Sequence, residues 1–201
     1  VSFIAGAFLS NVGLALADFA NQKKVLYLAT EPLTDALTMA SGNPYTFRVR
    51  PNTYMQTKML VDAAKAKGIK RWAVVAPNYE YGQSAVTSVK ALLKARRPDV
   101  EFVAEQLPAL GKLEAASTVQ AIIAARPEAI FNVTFGADLP RLVREGNLRG
   151  LFPRVPVVSL LSGEPESAHQ RRLFAAKALQ GLVQRLEFGP GRYQIFGGFF
   201  P

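Results

Sequence analysis

The side chains able to do chemistry gather in five short stretches: Leu9-Ser10-Asn11, Ala29-Thr30-Glu31-Pro32-Leu33-Thr34, Asn78-Tyr79-Glu80-Tyr81, Thr134-Phe135 and Ser162-Gly163-Glu164. Each lies at the end of a run that reads as a β-strand. The chemistry they offer is binding rather than bond making. Ser10, beside the free backbone N–H groups of a helix start, suits an anionic group such as a carboxylate. Tyr81 and Phe135 are flat apolar walls with few torsions to freeze. Glu164 can accept from an ammonium or a hydroxyl. Taken singly, Ser10 is equally a plain helix cap and the tyrosines equally rim residues. Recurrence in five strand-end loops is what points to a cleft for a small polar ligand.

Other chemistries lack their residues. Nucleophilic hydrolysis needs a serine at a strand-helix elbow and a histidine base; there is no G-x-S-x-G, and the single histidine, His169, sits in the least regular region. Gly6 and Gly13 are too far apart for a dinucleotide fingerprint, and a Walker loop is absent. Without cysteine there is no disulfide or thiol chemistry. Glu164 and Glu166, flanking Pro165, are too small a set for a metal. The expectation is a binding protein rather than an enzyme, with no cofactor and no metal.

Behind these loops stands an alternation of strands and helices. The pattern is centred on Arg71 to Ala76, an apolar, β-branched run that reads as a strand buried on both faces. The loop Asn78–Gly82 and a helix with the stripe Ala85, Val86, Val89, Leu92 and Leu93 follow it. Strands are expected at Val1–Ala7, Val25–Ala29, Thr46–Arg50, Val100–Gln106 (an edge strand by its alternation), Ala129–Val133 and Val155–Leu161. Between them, one helix starts at Ser10 or Asn11 with Val12, Leu16 and Phe19 toward a sheet. A second is capped by Asn52, with Met55, Met59, Leu60 and Ala63 on one face. A short one carries Val119, Ile122 and Ile123. The last is capped by Asp138 and broken at Gly146 and Gly150. Spacings of about 25–30 residues between strands argue for βαβ units and a mainly parallel, doubly wound α/β sheet. The extended piece ending at Pro51 is a crossing between two lobes.

Composition agrees. The 201 residues are 49% hydrophobic and 19% charged, which fits a globular protein. No apolar run reaches the ~18–20 residues of a membrane span, and no Lys/Arg-led signal peptide opens the chain. Val1 is not a methionine and sits in a strand-like run, so the chain is expected to begin inside a domain. The net charge of +9 is spread over helix ends, at Lys65, Lys67, Lys70 and Arg71, then at Lys94, Arg96 and Arg97. Such placement suits helix dipoles and a solvated face, so no nucleic-acid partner is expected.

The order of motifs resembles the periplasmic receptors of branched-chain-amino-acid-type ABC importers. The likeness runs through Gly6-Ala7-Phe8-Leu9-Ser10-Asn11, Tyr45-Thr46-Phe47-Arg48-Val49-Arg50-Pro51, Ala76 to Ser84, Pro127-Glu128-Ala129-Ile130-Phe131 and Leu161 to Glu166. The resemblance implies a type I periplasmic-binding fold of two lobes. Residues 1–51 would be part of lobe 1 and residues 52–166 lobe 2, and the lobes would close on a ligand and present it to a membrane permease. It implies that Ser10 and Asn11 meet a ligand carboxylate, and that Glu31 and Leu33 add contacts from the same lobe. Asn52 would contribute at the crossing, Tyr81, Thr134 and Phe135 from the second lobe, and Glu164 would meet an amino group. It also implies a periplasmic location and a small amino acid or organic acid as ligand. Glu31-Pro32-Leu33 replaces the small alanine- and threonine-rich loop of the amino-acid binders, which leaves aromatic and aliphatic carboxylates equally open. A full-length receptor is about twice this length, so a truncated first lobe is expected. Residues 167–201 look unlike the family and read as an atypical tail, out-of-frame or foreign. Two other readings share the pattern: an effector-sensing domain of a transcription regulator, and a small α/β enzyme using Glu80 or Glu164 as a base.

Overall fold

A computed structural model describes residues 2–64 and 68–161. Two parallel sheets follow one another along the chain. The first runs β1 (Phe3–Gly6), α1 (Ser10–Lys23), β2 (Leu26–Ala29) and β3 (Thr46–Arg48), with strand order β1-β2-β3. A 3-10 turn at Asp35–Leu37 lies between β2 and β3. The second contains α2 (Thr53–Ala64), β4 (Arg71–Val75), α3 (Glu80–Arg96), β5 (Glu101–Gln106), α4 (Ala115–Ala125), β6 (Ala129–Asn132), α5 (Asp138–Leu148) and β7 (Val157–Ser159). Its strand order is β5-β4-β6-β7, all parallel.

The second sheet explains itself from the alternation of side chains across its strands. Trp72 and Val74 of β4 point to one face with Phe131 and Val158, and pack with Val61 of α2 and Ala85, Val89 and Leu93 of α3. Ala73 and Val75 point to the other face with Ile130 and Val157, against Val119 and Ile122 of α4 and Leu139, Leu142 and Val143 of α5. Both faces are therefore covered, as an apolar parallel strand requires. β5 lies at the edge with only partly buried side chains, as its alternation predicts.

Four local expectations are corrected. The buried face of α1 is Ser10, Gly13, Ala17 and Ala20, while Val12 and Phe19 stand in solvent. Small residues take that face because the helix is pressed close: a Cβ on Gly13 would lie 2.5 Å from two ring carbons of Pro32. On α2 the buried positions are Thr53, Thr57 and Val61, and Met55 and Met59 are exposed. Gly146 does not break α5, which runs on to Leu148. It is a glycine because the Phe152 ring occupies the space that a Cβ would take. Asp138 is the first residue of α5 rather than its cap. Its buried carboxylate accepts from the backbone N–H groups of Gly111 (2.7 Å) and Leu113 (3.2 Å), anchoring the loop after β5.

Candidate functional site

In the second sheet the chain leaves β4 toward β5, then crosses back so that β6 lies on the other side of β4. Loops after β4 and β6 therefore depart in opposite directions and leave a crevice at the carboxyl ends of the strands. Tyr79 and Tyr81 follow β4 and Phe135 follows β6. Their ring centroids are 6.0–6.3 Å apart, tilted or edge to face. A fourth ring comes from the first sheet. After β1, Gly6 (φ 121°) and Ala7 (φ 66°) turn the chain sharply, and Phe8 meets Phe135 edge-on at 5.9 Å. Aromatic pairs of this geometry contribute about 0.5–1.5 kcal/mol each beyond the area they bury. Tyr81 is buried at the base of the cluster, whereas Phe8 is 56% exposed. Burial pushes the Tyr79 phenol far up, so it stays protonated and can donate a hydrogen bond.

Beside the rings runs a polar seam. Ser10 is not the cap of α1, which is Leu9 without a side-chain bond. Instead its buried hydroxyl oxygen accepts the backbone N–H of Thr34 (3.2 Å). Thr34 Oγ1 donates to Glu80 Oε1 (2.5 Å) in the first turn of α3. Asp35 accepts from the hydroxyls of Ser84 (3.0 Å) and Ser88 (3.1 Å) and from the Tyr54 backbone N–H (2.9 Å). Its own N–H donates to Ser84 Oγ (3.2 Å). From below, the Arg48 guanidinium of β3 donates to the carbonyls of Pro32 (2.6 Å) and Thr34 (2.5 Å), so the loop after β2 is held on both sides.

The residues named from the sequence distribute as follows. Ser10, Tyr81, Thr134 and Phe135 lie at the strand ends of the two sheets. Asn11 is exposed on the first turn of α1. Glu31 pairs with Arg50. Leu33 is buried and belongs to the core cluster of the second sheet, and its carbonyl accepts the Thr53 N–H at 2.8 Å. Asn52 Oδ1 caps α2 through the Met55 N–H (2.8 Å). Thr134 donates to Asn132 Oδ1 (2.7 Å), and Asn132 in turn donates to Ser159 (2.9 Å), which fixes the loop after β6. Glu164 and the stretch 167–201 lie outside the described residues. Thr34 closes a strand-end stretch singled out from the sequence, but Phe8, Asp35 and Ser84 were not picked out as site residues. Phe8 follows a glycine at a strand end, a signal that was available. The pairing of Asp35 with a serine 49 positions later has none. Among the described residues no group of acidic or histidine side chains is placed to hold a metal, and no helix is long and apolar enough to cross a membrane.

Two parallel α/β sheets in succession, the second doubly wound, with loops meeting at their carboxyl ends, define the type I periplasmic-binding class. The leucine-, isoleucine-, valine-, threonine- and alanine-binding protein from Brucella ovis, in its closed conformation, has a similar structure. It gives a TM-score of 0.76 at 23% identity, over 87% of this chain and 46% of that one. An ABC-transporter solute-binding protein from Rhodopseudomonas palustris BisB5, solved with 3,4-dihydroxybenzoic acid, gives 0.71 at 25% identity, over 84% and 48%. One from R. palustris in complex with benzoate gives 0.73 at 19% identity, over 79% and 43%. The chain thus spans less than half the length of these structures. No curated protein matches it. The family model described as periplasmic binding protein matches residues 1–190, and the chain belongs to that family. The match runs beyond Glu166, where the resemblance was expected to end. The family and these structural neighbours are solute-binding proteins, not enzymes.

Proposed function

We propose that this chain forms the ligand-holding region of the substrate-binding component of an ABC importer. It takes a small organic carboxylate, either an amino acid or an aromatic acid, and passes it from the periplasm to a membrane permease. The observation that carries this reading is the ring cluster at the switch point of the second sheet, reached by Phe8 from the first. In this reading the ligand's apolar body lies against Phe8, Tyr79 and Phe135 with Tyr81 behind them. Its carboxylate meets the first turn of α1 at Ser10 and Asn11. Glu31, Leu33, Asn52 and Thr134 shape the loops from which these groups project, and Glu164 meets an amino group where the ligand has one.

Calorimetric titration of the purified chain with leucine and with benzoate tests it. Saturable heat with one of the two is expected. Ser10→Ala should then weaken binding by about 1–3 kcal/mol, the cost of an unmatched polar partner. Absence of binding to both acids, or an unchanged affinity in the Ser10 variant, overturns the corresponding part of the reading.

A further inference from the structure

Six described hydrogen bonds join the segment that builds the first sheet to α2 and α3; five fall on Thr34 and Asp35, and the sixth runs from the Thr53 N–H to the carbonyl of the neighbouring Leu33. Thr34 and Asp35 stand at the start of the 3-10 turn between β2 and β3. Behind them the turn is tied to its own sheet by Arg48, by Ser10 and by the close seat of Pro32 on Gly13. In front, the Asp35 carboxylate spans two helices of the other half. One oxygen takes the Tyr54 N–H, an orphan donor of the first turn of α2. The other takes Ser84 and Ser88, one turn apart on α3. The Ser84 hydroxyl is also within 2.5 Å of Thr53 Oγ1, which closes the network across α2 and α3. Leu33, the residue before Thr34, is buried in the core cluster of the second sheet.

We infer that the Thr34–Asp35 turn is a clasp that sets the angle between the two sheets in the absence of ligand. The charge is what makes it a clasp rather than a packing contact. A carboxylate accepting three donors forms charge-assisted bonds, roughly twice as strong as neutral ones, and all three donors come from the opposite half. With the turn riveted on one side and bonded on the other, the halves start from one defined angle. Without it they are joined by the chain crossing near Pro51, by the Leu33 seat and by ring contacts such as Phe8 with Phe135. The inference concerns the ligand-free molecule and stands whether or not the proposed ligand class is right.

The absence of cysteine allows spin labels to be placed freely. Labels on Asn21→Cys at the end of α1 and Ala95→Cys at the end of α3, both exposed, report the angle between halves by double electron-electron resonance without any ligand. A narrow, single distance distribution is expected for the otherwise unaltered chain. Asp35→Asn and Ser84→Ala, each checked for an intact far-ultraviolet spectrum, should broaden it and add longer distances. Glu128→Gln should leave it narrow, because the hydrogen bonds described for the Glu128 carboxylate come from Lys70 and Arg71, within the second half. Ser84→Ala keeps the test open if Asp35→Asn does not fold. Distributions in a folded clasp variant that coincide with the unaltered chain, or equal broadening in Glu128→Gln, overturn the inference.

Discussion

Gly82 gives the sharpest test of how the site is built, because two effects of opposite sign meet there. It lies in the first turn of α3, where replacing glycine by alanine ordinarily stabilises by about 1 kcal/mol through backbone entropy. Here an added Cβ would overlap the carbonyl oxygen of Pro77 and lie 2.9 Å from its carbon and 3.2 Å from its Cδ. None of these atoms is the free end of a flexible side chain. The Pro77 carbonyl also accepts the Tyr79 N–H at 2.9 Å, so it cannot swing aside without breaking that turn. Relief requires a shift of about 1 Å between the loop and α3, and overpacking of this kind costs about 1–3 kcal/mol. With backbone on both sides the upper end applies. Gly82→Ala should therefore destabilise the chain by about 1–2 kcal/mol net, read as a lower urea midpoint with unchanged slope. The same shift displaces Tyr79 and Tyr81, so tyrosine near-ultraviolet dichroism should change with it. A variant as stable as the parent, or more stable, would mean that α3 does not sit against Pro77 as described and would refute the account of the site's geometry.

Three further outcomes follow from other parts of the molecule. Phe135→Leu keeps most of the apolar volume but removes three ring-to-ring contacts; a loss of about 1–3 kcal/mol in urea unfolding is expected, and a change under ~0.5 kcal/mol would show the cluster to be incidental. Asp138→Ala strands the N–H groups of Gly111 and Leu113, at about 1–3 kcal/mol, and Asp138→Asn, which keeps one carbonyl acceptor, should lose less in the same assay. Asp99 is held down to about 2 by hydrogen bonds from Arg97 and Lys70. A carboxyl that binds its proton more weakly when folded than its ordinary ~3.9 unfolded value stabilises above about pH 4, and loses that contribution as pH falls from 4 toward 2. Carbon-detected titration should give a midpoint near 2, and a midpoint near 4 would show the ion pairs to be absent in solution.

Much of the scaffold was legible because it follows periodicity. The run Arg71–Ala76 is apolar on both faces since both faces are covered, and the α3 stripe from Ala85 to Leu93 keeps helical spacing because only one face is. What escaped is decided by closeness rather than by hydropathy. On α1 the larger apolar residues Val12 and Phe19 lost the buried face to Gly13, which leaves room for Pro32, and to Ala17 and Ala20, which pack in a cluster with Tyr27, Ala29 and Leu37. Gly146 reads as a helix breaker in any list of propensities, and only the position of Phe152 reveals it as a fitted gap. Tyr81 and Phe135 were legible as strand-end aromatics. That Asp35 would meet Ser84 was not, because the pairing depends on the angle between two sheets and leaves no local trace.

The strand order of the second sheet also bears on the order in which the protein can be made. β4, whose residues Trp72 to Val75 are all buried, is placed between β5 and β6, and β6 lies about 60 residues further along the chain. At ~5–20 residues per second, a ribosome takes about 3–12 seconds to travel that distance. Throughout that interval Val74 and Val75 have one neighbour at most, and parallel pairing across such separations is slow to begin. The nascent chain therefore carries the apolar run Trp72 to Val75 uncovered for seconds. A family member destined for the periplasm must cross a membrane before folding is complete, and for it that delay keeps the chain in a state that can still be threaded.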